Sequence, residues 1–365
     1  MLNYQRGDFM EKWKENLRKI TPYTPGEQSK NKNIIKLNAN ENPYPPSPKS
    51  IEVFKNFDCE KLKFYPDANS NNLKKSIADF YGVKPENVFV ANGSDDVIAI
   101  AFQSFFCSKK PVFFPDITYS FYPVWCELFK IPYQTIPVDE NFKINFSDYE
   151  KENGGVIIPN PNAPTSIGED EEFVENLLKC NQDSIVIIDE AYADFSEYTC
   201  VPLIKKYKNL AVTGTFSKSR SLAGLRIGFA IADKELISVL EAVKNSYNSY
   251  CVDSLSIAVA SASIKDEDYF KETVQKVKNT RKKTTERLRE LGFDVLNSQT
   301  NFVFATIKDK SMKDLFEYLK SKNIFIRYFN LPRIDNYIRI TIGTDEEMEI
   351  LLNETENYLK NNSTV

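Results

Sequence analysis

One lysine in this chain has neighbours that suit it for covalent chemistry. In the stretch TGTFSKSRSLAGLRIGFAI, Thr213 to Ile231, Lys218 is accompanied by Thr215, Ser217 and Arg226. Two hydroxyls and a guanidinium are what a phosphate dianion needs, and nearby positive charge lowers an amine's pKa toward the range where it acts as nucleophile and base. The chain contains no histidine. That removes Ser–His and Cys–His nucleophile pairs, imidazole metal ligands and the commonest general base. Proton transfer therefore falls to Lys, Asp, Glu, Tyr or Cys. Most lysines are simply solvated, but here a lysine that forms a Schiff base and also shuttles a proton is the economical reading. Glycine is scarce, with 12 in the chain, yet Gly214, Gly224 and Gly228 flank Lys218, which suggests a locally constrained backbone.

Other candidate groups stand at the ends of apolar runs. ANGSDDVIAIAFQSFF reads as a strand end, a turn at Gly93, and a helix beginning at Ser94 and Asp95. The free N–H groups and positive dipole end of such a helix can seat a phosphate. Taken by itself, the motif reads more simply as an ordinary capped helix with Asp95 and Asp96 satisfying its dipole. SIVIIDEAY ends a run in Asp189. A carboxylate buried there needs a donor or a cation, and the protonated heterocyclic nitrogen of a cofactor would serve. A helix cap or an ion pair with an arginine accounts for it equally well. Neither G-x-G-x-x-G nor G-x-x-x-x-G-K-[ST] occurs, so dinucleotide and P-loop readings lack support.

These groups need a scaffold. From about residue 85 to 232, the runs VFVAN, PVFFP, PYQTIP, GVIIP, SIVIID, LAVTGT and RIGFAIA alternate with helical patterns. Several are apolar on both faces, which predicts buried strands of a mostly parallel sheet covered by helices, an α/β domain. Ligands in such sheets sit at the carboxyl ends of strands. Gly93-Ser94-Asp95, Asn160-Pro161-Asn162, Asp189 and Thr215-Phe216-Ser217-Lys218 each follow a run. After about residue 250 a long charged helix and the short strands FDVL, NFVFATI, IFIRYF and YIRITIG predict a smaller α/β unit, joined by the N-terminal segment. ENPYPPSP, residues 41 to 48, reads as an extended surface connector or a substrate-side loop.

Composition narrows the partners. Of 365 residues, 42% are apolar and 27% charged, ordinary for a soluble globular protein, and no apolar run is long enough to span a bilayer. A net charge of −4 without a basic stripe argues against nucleic acid and for a small substrate. Phe9, Trp13, Leu17 and Ile20 fall at helical spacing among charges, which predicts a packed N-terminal helix and no secretory signal. The six cysteines lack any C-x-x-C, so neither a disulfide framework nor a zinc site is expected, and reduced thiols point to the cytoplasm.

In order along the chain, TPYTPG, KLNANENPYPPSP, FYPD, ANGSDD, DITYSFY, PNPNAPTS, IDEAY, TFSKSRSLAGLRIGF, NSYNSYCVD, QTNFVFA and IRITIGT carry a resemblance that runs almost end to end. The chain resembles the pyridoxal-phosphate aminotransferases of fold type I, class II, and among them the histidinol-phosphate aminotransferases. S-K-x(4)-A-G-L-R-x-G is the most specific of these motifs. The resemblance implies a large cofactor-binding domain, 46–250, with a mostly parallel seven-stranded sheet between helices. It implies a small α/β C-terminal domain, 251–365, and an N-terminal helix and arm, 1–45, packed on the small domain and on a dimer partner. It implies that Lys218 holds pyridoxal 5'-phosphate as a Schiff base, that Asp189 pairs with the pyridinium nitrogen, and that Tyr192 and Asn162 meet the ring's phenolic oxygen. Tyr119 would stack on the ring. The turn at Gly93, the backbone of Ser94 and Asp95, and Thr215, Ser217 and Arg226 would hold the phosphate, joined by Tyr65 from the other subunit of a homodimer. Arg339 would grip the carboxylate of glutamate. Tyr23, Asn40, Asn301 and Arg327 would lie near the substrate, Tyr23 and Arg327 at its phosphate.

The implied reaction is a ping-pong transamination between L-histidinol phosphate and 2-oxoglutarate, giving imidazole acetol phosphate and glutamate. Threonine-phosphate decarboxylase or aromatic aminotransferase activity on the same scaffold, or a non-catalytic binding or regulatory protein, are the alternatives. The sequence departs from the family pattern at Asn162-Ala163-Pro164-Thr165-Ser166, where N-N-P-T-G is usual. Cys251 also replaces a common proline, and Pro45-Pro46-Ser47 replaces P-x-G.

Overall fold

The computed structural model describes residues 12–23 and 33–362. Seven strands form the central sheet: β2 (Val88–Ala91), β3 (Val112–Pro115), β4 (Tyr133–Ile136), β5 (Gly155–Pro159), β6 (Val186–Asp189), β7 (Leu210–Thr215) and β8 (Gly228–Ala232), in the order β2-β8-β7-β6-β5-β3-β4. β8 runs antiparallel to both its neighbours, and the remaining pairs are parallel. All seven runs expected to be strands are strands. Every residue of β2, β3 and β5 to β8 is buried, as a sheet covered on both faces requires. PYQTIP differs. It forms β4 at the sheet edge, with only Ile136 buried.

Alternate residues of each strand feed two cores. On one face Val88, Val156, Ile158, Val186, Ile188 and Val212 pack with residues of α2 (Asn71–Tyr81), α5 (Glu171–Cys180) and α7 (Ser254–Ile264). α7 also lies against α1 (Pro48–Lys55). On the other face Phe89, Ile157, Ile187 and Ala211 pack with α3 (Ser94–Phe105), α4 (Phe121–Phe129) and α6 (Lys234–Asn245). Oxygen-bearing caps start several of these helices: Ser47 accepts from Ser50 N ahead of Pro48, and Asp170 accepts from Phe173 N.

A second sheet follows the long helix α8 (Glu267–Glu290). Its strands are β9 (Asp294–Val295), β10 (Phe302–Thr306), β12 (Arg327–Tyr328) and β13 (Ile338–Thr341), in the order β12-β13-β10-β9 and all antiparallel. With α9 (Met312–Ser321) and α10 (Asp345–Asn361) they enclose a third core, which Leu37 enters. The chain just after residue 32 meets this unit: β1 (Ile35–Lys36) pairs in parallel with β11 (Ile324–Phe325).

The expected N-terminal helix is not what the described residues show. Lys12–Asn16 is a single 3₁₀ turn, and Trp13 and Leu17 are exposed. Arg18 anchors the segment by donating to Leu128 O at 2.6 Å. Phe9 lies outside the described residues. Among those residues no helix is long and apolar enough to cross a membrane.

Candidate active site

The carboxyl ends of the parallel strands meet at one edge of the sheet, and the reversed strand brings its own amino end there. Gly228 pairs with Ala91 of β2 and with Thr215 of β7. Arg226, just before β8, is thereby delivered beside the start of α3. The approach is close. A Cβ on Gly228 would lie 2.3 Å from both Gly93 C and Ser94 N, so only glycine fits. Gly93 itself has φ 91°, and no side chain caps the first turn of α3. The uncapped first turn and its dipole end lie beside the Arg226 guanidinium, whose Nη2 would be 2.7 Å from a Cβ on Gly93. Within the chain that guanidinium pairs with Asp95 at 3.0 Å, and the other Asp95 oxygen accepts from Tyr119 OH at 2.8 Å. Thr215 and Ser217 are buried at the same edge, with Thr215 Oγ1 accepting from Ser217 N at 3.1 Å.

Asp189 closes β6 and is 5% exposed. Its Oδ2 accepts from Tyr122 OH at 2.9 Å, and its Oδ1 from Ala191 N at 3.2 Å and Thr213 Oγ1 at 3.3 Å. Burial pushes the carboxyl up to about 6, and these donors hold it from going higher, while the negative charge of Asp95 acts with burial. A carboxylate so placed is ready for a cationic partner.

Lys218 is half-buried, its Nζ 3.2 Å from Ala39 O and 5.7 Å from the centre of the Tyr192 ring. The segment after it is pinned. Asn42 Nδ2 donates to the carbonyls of Lys218 and Ser219 at 3.0 and 3.1 Å, and Ser219 donates to the Asp194 carboxylate. Arg220 is buried with its guanidinium 4.7 Å from the Phe80 ring and 3.9 Å from that of Phe270, while Nη1 donates to Ser263 O at 3.0 Å. α2, the end of α7 and the start of α8 thus clamp the chain two positions from the amine.

The second sheet supplies the opposite wall. Asn40 Nδ2 donates to Tyr192 OH at 2.9 Å, and Asn301 Nδ2 and Thr341 Oγ1 hold Asn40 in turn. Arg339 stands 5.2 Å from the Phe302 ring and donates to Asn38 O at 3.0 Å. Burial lowers its pKa, and the charge of Arg327 acts the same way, while the phenols of Tyr192, Tyr23 and Tyr119 oppose both. Among the described residues Arg339 Nε and Asn301 Oδ1 are buried without a hydrogen-bond partner, the condition of groups awaiting one. Tyr23, Tyr119, Thr118, Arg327 and Phe329 line a cavity of about 650 Å³, with Tyr23 stacked on Phe121 at 4.2 Å.

The residues singled out from sequence are thus mostly brought together. One is placed differently. Asn162 is buried, but both its amide hydrogens are engaged, by Ile117 O at 2.9 Å and Thr165 Oγ1 at 3.0 Å, so it ties its own loop to the segment after β3. Tyr65 is 82% exposed and stacks on Tyr250 at 4.6 Å, outside the cluster of its own chain. Sequence reasoning passed over Tyr122, Asn42, Thr213 and Thr341. Tyr122 follows Tyr119 by one helical turn in DITYSFY, a signal that reads equally as core.

A model of the family described as aminotransferase class I and II matches residues 32–354. The histidinol-phosphate aminotransferase of Lactococcus lactis subsp. lactis is 47% identical over 353 residues, 97% of this chain and 98% of that protein. Histidinol-phosphate aminotransferase 1 of Hydrogenovibrio crunogenus is 50% identical over 348 residues, covering 95% and 98%. The crystal structure of the Sinorhizobium meliloti histidinol-phosphate aminotransferase in complex with pyridoxal-5'-phosphate has the same fold, with a TM-score of 0.82 at 22% identity over 90% of this chain and 91% of that one.

Proposed function

The chain belongs to the class I and II aminotransferases, and on that premise we propose that it moves an amino group between L-histidinol phosphate and 2-oxoglutarate with pyridoxal 5'-phosphate. One observation carries the reading: an amine, a buried acid and a bare helix N-terminus with its arginine share the edge of one sheet. The residues present fit the cofactor. The close Gly93–Gly228 backbone contact sets the start of α3 beside Arg226, and Asp189 is a buried carboxylate held by neutral donors. When bound, the cofactor supplies an electron sink for the pair released as the α-proton leaves.

The chain's own residues do the rest. Lys218 Nζ would hold the cofactor and, once the amino donor has displaced it, would take the α-proton and later return a proton, since no imidazole is available to share the task. Asp189 holds a proton on the ring nitrogen. Ser94 and Asp95 amides, Thr215, Ser217 and Arg226 bind the phosphate, so Arg226 exchanges Asp95 for a dianion. Tyr192 meets the phenolic oxygen with Asn40 fixing its hydroxyl, and we assign Asn162 to bracing that side. Arg339, with Nε uncommitted, takes a carboxylate bidentately. Tyr23 and Arg327, which line one cavity, take the substrate's phosphate end.

Tyr65, with its exposed ring, reaches the phosphate of a second copy, which makes a homodimer with shared sites the working assembly. We place the enzyme in the cytoplasm.

The test is direct. The purified protein with pyridoxal phosphate is yellow, fixes the colour's carrier covalently on borohydride treatment, and bleaches when glutamate is added. Turnover of histidinol phosphate with 2-oxoglutarate, in preference to aromatic amino acids, supports the assignment. Carbon dioxide release from threonine phosphate, or no colour at all, rejects it.

A further inference from the structure

We propose that Tyr122 is the positioning residue of Asp189, a phenol fixed in an aromatic nest whose hydroxyl orients and tunes the carboxylate assigned to the cofactor's ring nitrogen. The inference rests on the proposed function for the identity of that nitrogen, but the contact itself does not. Tyr122 is fully buried on α4. Its ring is enclosed by Phe114 and Tyr119 edge-on at 5.7 Å, with Phe102 and Trp125 at 6.2 Å. Four rings leave it no second rotamer of low energy.

A hydroxyl in such a nest costs free energy unless it is bonded, and phenylalanine would fill the same volume without that cost. The hydroxyl reaches across to β6 and donates to Asp189 Oδ2 at 2.9 Å, the shortest of the three bonds that carboxylate receives. Tyr122 remains a donor throughout the working pH range. Burial, and then the negative charge of Asp189, hold its phenol well above the usual tyrosine range.

The titratable groups that act on the pair come from three directions: Asp95 on α3, Tyr119 just before α4, and Tyr192 after β6. Each is anionic or becomes so on losing a proton. The Tyr119 hydroxyl is already spent on Asp95. Tyr122 thus performs by a neutral hydrogen bond the tuning that a chain without histidine cannot assign to an imidazole.

The experiment follows the Asp189 carboxyl in cofactor-free protein by 13C NMR with labelled aspartate, the resonance assigned through Asp189→Asn. In the wild type it titrates near 6. In Tyr122→Phe the midpoint rises by about one unit, the scale of a lost hydrogen bond to a charged group. In protein with tyrosine replaced throughout by 3-fluorotyrosine, a more acidic phenol and stronger donor, it falls. With pyridoxal phosphate bound, the acid limb of kcat for the glutamate half-reaction moves up by the same amount in Tyr122→Phe, with KM for glutamate changed less than about twofold.

An Asp189 midpoint unmoved in folded Tyr122→Phe overturns the proposal, as does one unmoved by fluorotyrosine should the phenylalanine variant fail to fold. Failure of the wild type to bind pyridoxal phosphate would reject the functional reading instead, and the titration of the cofactor-free protein would still decide the role of Tyr122.

Discussion

Glu190, directly after Asp189, is predicted to weaken the folded state above neutral pH. It lines a cavity of about 350 Å³ that it shares with Tyr81, Asp194 and Thr199. Burial pushes its carboxyl up to about 7, against bonds from Cys200 N and Thr199 that favour the ionised form. Measured from 4.5, that is a gap of about 2.5 units, or about 3 kcal/mol at about 1.36 kcal/mol per unit. The sign follows from proton counting. Below the unfolded value both states hold the proton and the group contributes nothing. Between that value and about 7 the unfolded chain releases the proton while the folded one keeps it, so stability falls as pH rises. Above it the full penalty stands. Glu190→Gln keeps an acceptor for Cys200 N, and the Thr199 hydroxyl can rotate to accept, so the penalty is removed. Denaturant unfolding of the cofactor-free proteins at intervals from pH 5 to 8 provides the assay. The variant gains stability over the wild type progressively, by about 1–3 kcal/mol at pH 8. Parallel curves, or a variant less stable at pH 8, would refute the reasoning, because the carboxylate would then be satisfied in its charged form.

Further outcomes are expected at the site. Lys218→Ala abolishes transamination and borohydride fixation while pyridoxal phosphate still binds, as absorbance and dialysis will report. Gly228→Ala forces a Cβ into the backbone of Gly93 and Ser94. A cost of about 1–3 kcal/mol in stability and weaker cofactor binding should follow in thermal melts and cofactor titrations. Arg339→Lys replaces a fork by a point charge, lowering kcat/KM for glutamate by about 10- to 100-fold with the cofactor spectrum unchanged.

The framework was legible because its strands are apolar on both faces, and such runs have few other uses. The reversal of β8 was not, since RIGFAIA reads the same in either direction of pairing, yet that reversal is what carries Arg226 to the start of α3. Asp189, Lys218 and Arg226 were legible as polar groups at strand ends. Their supports were not. Tyr122 meets Asp189 across 67 positions of sequence and Asn42 meets Lys218 across 176, and a tyrosine in an apolar helix looks like core until its hydroxyl is located. The helical spacing of Trp13, Leu17 and Ile20 misled for a related reason: periodicity reports a possible face, and the face finds no cover in the described residues.

Arg220 joins parts of the molecule that are far apart in the chain. Its cation lies between a ring on α2 and a ring at the start of α8, and α8 runs on to the second sheet, where Arg339 stands. Separating the first turn of α8 from the sheet edge would strip a buried charge of both its aromatic faces. A seam between the two halves therefore lies two positions along the chain from Lys218, so that shifting α8 against the large sheet would be opposed within that lysine's own segment.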